Sequence, residues 1–139
     1  MWARPMRITR QALAVVLDHA TRQWPRECCG ILLARDGSQV ASAALEAANE
    51  EPQRPETRYI LGHEAHLRAV EMEFAGAATI VGYYHSHPRG GPEPSARDRE
   101  LAAEGVSYLI AARRDEEWET AAWRFTGRGF EPEPLEVVP

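Results

Sequence analysis

The chain has 139 residues, enough for one compact core and short of two. Its 44% apolar and 27% charged residues are ordinary for a globular protein, and a net charge of −5 argues against a general affinity for nucleic acid. The apolar run 12–17 is too short and too flanked by charge to span a membrane, and no cleavage site follows it, so a cytoplasmic protein is expected.

In chain order, Thr9 is placed to cap a helix over 10–24, with Leu13, Val16, Leu17 and Ala20 at amphipathic spacing and Pro25 beyond its end. His19, on the outer part of that helix, is expected to be solvated. The only two cysteines, Cys28 and Cys29, are neighbours, and a bridge between adjacent residues is strained, which excludes a disulfide framework. They are expected to be small buried residues at the start of a strand over 30–35. Asp36-Gly37 reads as a hairpin turn and 40–46 as the partner strand.

Residues 49–56, rich in Glu, Pro and Gln, form the most loop-like internal stretch, and 58–61 a short strand. A helix follows over 64–74, with Leu67, Val70 and Phe74 on its inner face. The group His63-Glu64-Ala65-His66 falls one residue short of the metal motif that places histidines at i and i+4 on one helical face, so these are polar helix-start residues. Two further strands are predicted over 106–112 and 118–125, joined by the charged turn 113–117. The tail 131–139 alternates Glu and Pro and either adds an edge strand or stays mobile. No internal repeat or low-complexity segment interrupts this single domain, and the mixed pattern predicts an α/β protein with a central sheet flanked by helices.

The chemistry concentrates between the second and third helices. Residues 77–84 are apolar, β-branched and aromatic and read as a buried strand. At its C-terminal end stand His85 and His87, whose i, i+2 spacing turns both imidazoles to one face while Ser86 turns away. The loop 89–94, rich in Gly and Pro, precedes a helix through about 104, with Ser95 as N-cap and Asp98 at its third position. Taken alone, Ser-x-x-Asp is close to a capping box, and His-x-His is a weak metal signal. Together at this spacing they supply two imidazoles and a carboxylate, the three protein ligands of a catalytic zinc, leaving a fourth position for water.

His85, His87, seven residues, Ser95, two residues and Asp98 resemble the signature of the JAMM (JAB1/MPN/Mov34) metallopeptidases with no departure in spacing. That family also carries an upstream Glu-x-Cys-Gly, matched by Glu27-Cys28-Cys29-Gly30. The resemblance implies a three-layer JAB1/MPN fold, similar to that of cytidine deaminases, around a mixed sheet. It implies one Zn²⁺ per chain held by His85, His87 and Asp98, with Glu27 as general base and acid and Ser95 as oxyanion donor. It further implies a substrate of the ubiquitin-like or sulfur-carrier class, hydrolysed at the amide bond after its C-terminal Gly-Gly.

The loops 47–57 and 89–93 are where selectivity is expected to be set. Three other readings compete. A non-catalytic scaffold of this fold typically loses metal ligands, and this chain keeps them with Glu27. A zinc deaminase needs His-x-Glu and Pro-Cys-x-x-Cys, both absent. A closed metal-sensor site needs a fourth protein ligand, which only Cys28, Cys29 or a distant histidine can supply.

Overall fold

The computed structural model describes residues 4–35 and 37–139. Among them the element order is β1 (Met6–Thr9), α1 (Arg10–Gln23), β2 (Cys29–Ala34), β3 (Ala43–Ala47), α2 (His63–Phe74), β4 (Thr79–His87), α3 (Ala96–Leu101), β5 (Ser107–Arg114), β6 (Glu117–Phe125), β7 (Phe130–Glu133) and β8 (Leu135–Val138). Six strands form one mixed sheet in the order β3-β2-β4-β5-β6-β7, while β1 and β8 pair in parallel beside it. Within the main sheet only β4 and β5 run parallel, and the crossover between them carries α3.

Two apolar layers cover the sheet. On one face Ala12, Val16 and Ala20 of α1 pack with Leu32, Tyr84, Leu109 and Ala122. On the other, Ala69 of α2 packs with Ile31, Leu33 and Ala78, flanked by Ala65, Met72, Ile80 and Tyr83. Every residue of β2 is buried because helices close both of its faces, which explains its unbroken apolar sequence. The three-layer α/β architecture is the one expected.

Thr9 caps α1 as predicted, its Oγ1 accepting the Ala12 amide at 3.1 Å. His19 is not solvated: it is buried, its Nδ1 2.8 Å from the Tyr84 hydroxyl. The cause is rotation of α1, whose buried line runs through Ala12, Val16, His19 and Ala20. Burial lowers the His19 pKa, with the Glu46 carboxylate opposing that effect.

The inner face of α2 also differs from expectation. Leu67, Val70 and Phe74 are exposed, Phe74 almost fully at 95%, and Ala65 and Ala69, with Met72 beside them, face the sheet. At about 100° per residue the two stripes lie on opposite sides of the helix. Residues 58–61 form no strand. Leu61 makes only an isolated bridge to Asn49, and the Ile60 amide goes instead to the Asn49 side chain. The helix α3 ends at Leu101 rather than 104, its cap residue Ala102 being extended.

The predicted turn at Asp36-Gly37 falls on Asp36, outside the described residues; Gly37 has φ +70°. The tail supplies the edge strand β7, with Pro132 on the outermost ladder, and then β8, whose partner β1 the sequence reading had not placed.

Candidate metal centre and active site

The site is built where β4 ends. Pleating sends Tyr84 and Ser86 toward the α1 face and His85 and His87 to the opposite one. Ser86 is fully buried and locks the strand end: its Oγ accepts the Cys28 amide at 2.8 Å and its own amide donates to the Cys28 carbonyl at 3.0 Å. Cys29 pairs with His85 at the last rung of the β2–β4 ladder, and Glu27, two residues before β2, lies close enough to His87 and Asp98 for both charges to act on it. Asp98 arrives from the first turn of α3.

His85 Nε2, His87 Nε2 and Asp98 Oδ2 form a nearly equilateral triangle. The imidazole nitrogens are 3.2 Å apart, His87 lies 3.0 Å from the carboxylate oxygen and His85 3.1 Å from it. Donors around a tetrahedral zinc with bonds of about 2.1 Å stand roughly 3.4 Å apart, so small adjustments would accommodate the ion. All three residues are buried.

The hydrogen bonding of His87 turns a ligating lone pair into the cluster. Its Nδ1 is 2.9 Å from the Gly91 carbonyl, which only accepts, so Nδ1 carries the proton. In the neutral ring Nε2 is then a bare lone pair facing a carboxylate oxygen and a second imidazole. That arrangement calls for a shared donor or cation between the three atoms: the Nε2 proton of a neutral His85, or a metal ion. Burial acts to lower the His87 pKa, but the bonds to Asp98 and Gly91 outweigh it and raise it. Burial lowers the His85 pKa despite Asp98, which keeps that imidazole neutral and able to ligate.

Asp98 is held ionised. Burial alone would raise its pKa, yet hydrogen bonds to His85 and His87 bring it well below the usual carboxylate range. Its Oδ2 also accepts the Ser95 amide at 2.9 Å, while Ser95 Oγ accepts the Asp98 amide at 3.0 Å. The capping box and the candidate ligand are thus one structure, and the Ser95 hydroxyl keeps its own proton free to donate.

Glu27 is 6% exposed. Its burial pushes the carboxyl up to about 8, with His87 pulling it down and Asp98 raising it further. A carboxyl near neutrality can take or give a proton at working pH. Both thiols are buried with raised pKa values, and the Cys29 Sγ lies 3.5 Å from the Ala48 carbonyl. Neither belongs to the cluster, which among the described residues comprises His85, His87 and Asp98.

Two neighbours of the site escaped the sequence reading. Tyr59 stacks on His85 with ring centroids 4.6 Å apart and planes 24° from parallel. Asn49 ties the loop carrying Tyr59 to the backbone of Glu27. An aromatic and an amide in a polar loop carry no period or spacing that would have marked them. No helix among the described residues is long and apolar enough to cross a membrane.

Known proteins match this architecture. The family described as prokaryotic homologs of the JAB domain matches residues 9–126. A desampylase of Haloferax volcanii is 36% identical over 89 residues, covering 63% of this chain and 63% of that protein. A CysO-cysteine peptidase of Mycobacterium tuberculosis is 32% identical over 126 residues, covering 88% of this chain and 84% of that one. Among solved structures, a JAB1/MPN domain protein from Archaeoglobus fulgidus superposes with a TM-score of 0.63 at 22% identity, covering 96% of this chain and 98% of that one, which supports the fold. The chain belongs to the prokaryotic homologs of the JAB domain.

Proposed function

We propose that the protein is a zinc-dependent peptidase that hydrolyses the amide bond following the C-terminal Gly-Gly of a ubiquitin-like or sulfur-carrier protein. The observation that carries this reading is the triangle of His85, His87 and Asp98, with buried Glu27 near enough for the His87 and Asp98 charges to act on it. The names of the two relatives, a desampylase and a CysO-cysteine peptidase, support the substrate class.

Zinc bound to this triad supplies a Lewis acid and brings the pKa of a water to about 7. The residues do the rest. Glu27 takes a proton from the attacking water and hands it to the departing amine, a task for a buried carboxylate beside the triad. Ser95 donates its hydroxyl proton toward the developing oxyanion while its lone pair caps α3. Gly91 fixes the tautomer of His87, and Tyr59 covers the face of His85.

The test pairs metal analysis with cleavage of a sulfur-carrier protein extended past its Gly-Gly. Zinc-dependent cleavage after Gly-Gly, abolished by chelator, is expected. One bound zinc without cleavage would make this substrate class wrong, and a protein that takes no zinc would favour the scaffold reading.

A further inference from the structure

In the loop between β3 and α2, Asn49 is the side chain that joins the loop to the backbone of Glu27, while Glu51 accepts the Gln53 and Arg54 amides within the loop. Asn49 Nδ2 donates to the Glu27 carbonyl at 3.1 Å and the Arg58 carbonyl at 3.0 Å, with a longer contact of 3.5 Å to the Pro55 carbonyl. Its Oδ1 accepts the amides of Glu51 and Ile60, both at 3.0 Å. The Glu27 amide, in turn, donates to the Pro55 carbonyl at 2.7 Å. Both backbone polar groups of Glu27 are therefore bound by Asn49 or by the loop that Asn49 organises.

The same loop places Tyr59 on His85, where no polar group does the usual work. A metal-binding imidazole is ordinarily oriented by a hydrogen bond from its other ring nitrogen. His85 Nδ1 is buried and, among the described residues, has no hydrogen-bond partner. Its other ring nitrogen faces the cluster, so the stacked Tyr59 ring is the contact from this loop that fixes the plane of His85.

From these contacts we infer that Asn49 is a positioning residue: one amide side chain fixes the backbone of Glu27 and the Tyr59 loop in a common frame, so that the proton carrier and the ring stacked on His85 keep one relative placement. The inference rests on the proposed role of Glu27 in proton transfer. Asn49 itself touches no ligand of the cluster and acts through its two neighbours. Geometry of this kind matters because a displacement of about 1 Å at the reacting groups can cost on the order of 100-fold in rate.

Asn49→Asp separates the two halves of the side chain, keeping the Oδ1 acceptor and removing the three donor contacts. In the metal-free full chain, amide hydrogen exchange of this variant is expected to show Glu27 protection reduced at least tenfold. Leu32, inside β2, should keep its protection. With zinc, the variant should retain one ion per chain, with kcat lowered about 10- to 100-fold and KM within about threefold of the parent. Unchanged Glu27 protection, unchanged kcat, or a loss confined to KM would each overturn the inference.

Wild-type exchange provides a measurement that does not depend on the variant folding. Glu27 and Ile60 amides should open together as one unit, and independent opening overturns the common frame. A wild type that cleaves no Gly-Gly substrate would remove the functional reading, whereas the exchange data would still decide whether Asn49 holds the frame.

Discussion

Gly30 to alanine tests how the second strand and the end of β4 fit together. Gly30 lies opposite Tyr84 in the β2–β4 ladder, and a Cβ there would overlap the Cε1, Cζ and hydroxyl positions of the Tyr84 ring. The ring is 1% exposed, and its hydroxyl is held by His19 at 2.8 Å, so it cannot retreat without breaking that bond. Overpacking a core costs about 1–3 kcal/mol and losing a buried hydrogen bond about 1–3 kcal/mol more, giving roughly 2–6 kcal/mol in total. At about 4 °C per kcal/mol for a domain of this size, the thermal midpoint should fall by at least about 8 °C, measured by circular dichroism. In a Tyr84→Ala background the cost of alanine at position 30 should shrink below about 1 kcal/mol, because the obstructing ring is gone. A midpoint within about 3 °C of the parent, or additive costs in the double variant, would refute the clash.

Glu27→Gln should keep one zinc per chain and lose about 10²- to 10⁴-fold in kcat, the range of a positioned acid–base group; undiminished turnover would remove Glu27 from the mechanism. Asp98→Ala should weaken zinc binding by more than about 100-fold, since loss of even a supporting partner costs 10- to 100-fold; metal content near the parent's would show the ligand set to be wrong. Burial lowers the His19 pKa from 6.5, so below pH 6.5 the unfolded chain binds more protons than the folded one and stability falls on acidification. Above that pH this group contributes no slope. The midpoint should accordingly drop between pH 7 and 5 less steeply in His19→Gln, and equal slopes would discard the assignment. Burial raises Cys28 to about 11 and Cys29 to about 12, so neither thiol should react with a maleimide in the native protein at pH 8, and stoichiometric labelling there would contradict their burial.

Local chemistry was legible in the sequence, and long-range packing was not. His85 and His87 share a face because any strand alternates, and Asp98 sits beside Ser95 because a capping box fixes its side chain. Those consequences follow from spacing alone. Glu27 precedes β2, and only the pairing of that strand with one 58 residues further on brings it near the histidines. The α2 face was misjudged because hydrophobicity ranked Leu67, Val70 and Phe74 above Ala65 and Ala69. Close approach of a helix to a sheet instead selected the small stripe. His19 was misplaced for a related reason: its polar ring was counted as solvent-seeking, while Tyr84 offered it a buried partner. The strand β1 depends on β8 at the other end of the chain, and four residues carry too little pattern to announce such a pairing.

The shared oxygen of Asp98 has a consequence for how loading relates to folding. Because the Ser95 amide and the α3 cap hold that carboxylate, and Gly91 sets the His87 ring, two of the three donors are oriented by contacts within the chain itself. Ordering entropy that a zinc finger must supply at the moment of binding is here absorbed by the chain as it folds. Stripping the ion should consequently leave a folded protein ready to reload, and occupancy can respond to the supply of metal without putting the fold at risk. The same economy makes Ser-x-x-Asp a poor marker by itself. A relative that had lost both histidines would still need the pair to start its helix, so the imidazoles, and not the carboxylate, distinguish a loaded site from an inherited cap.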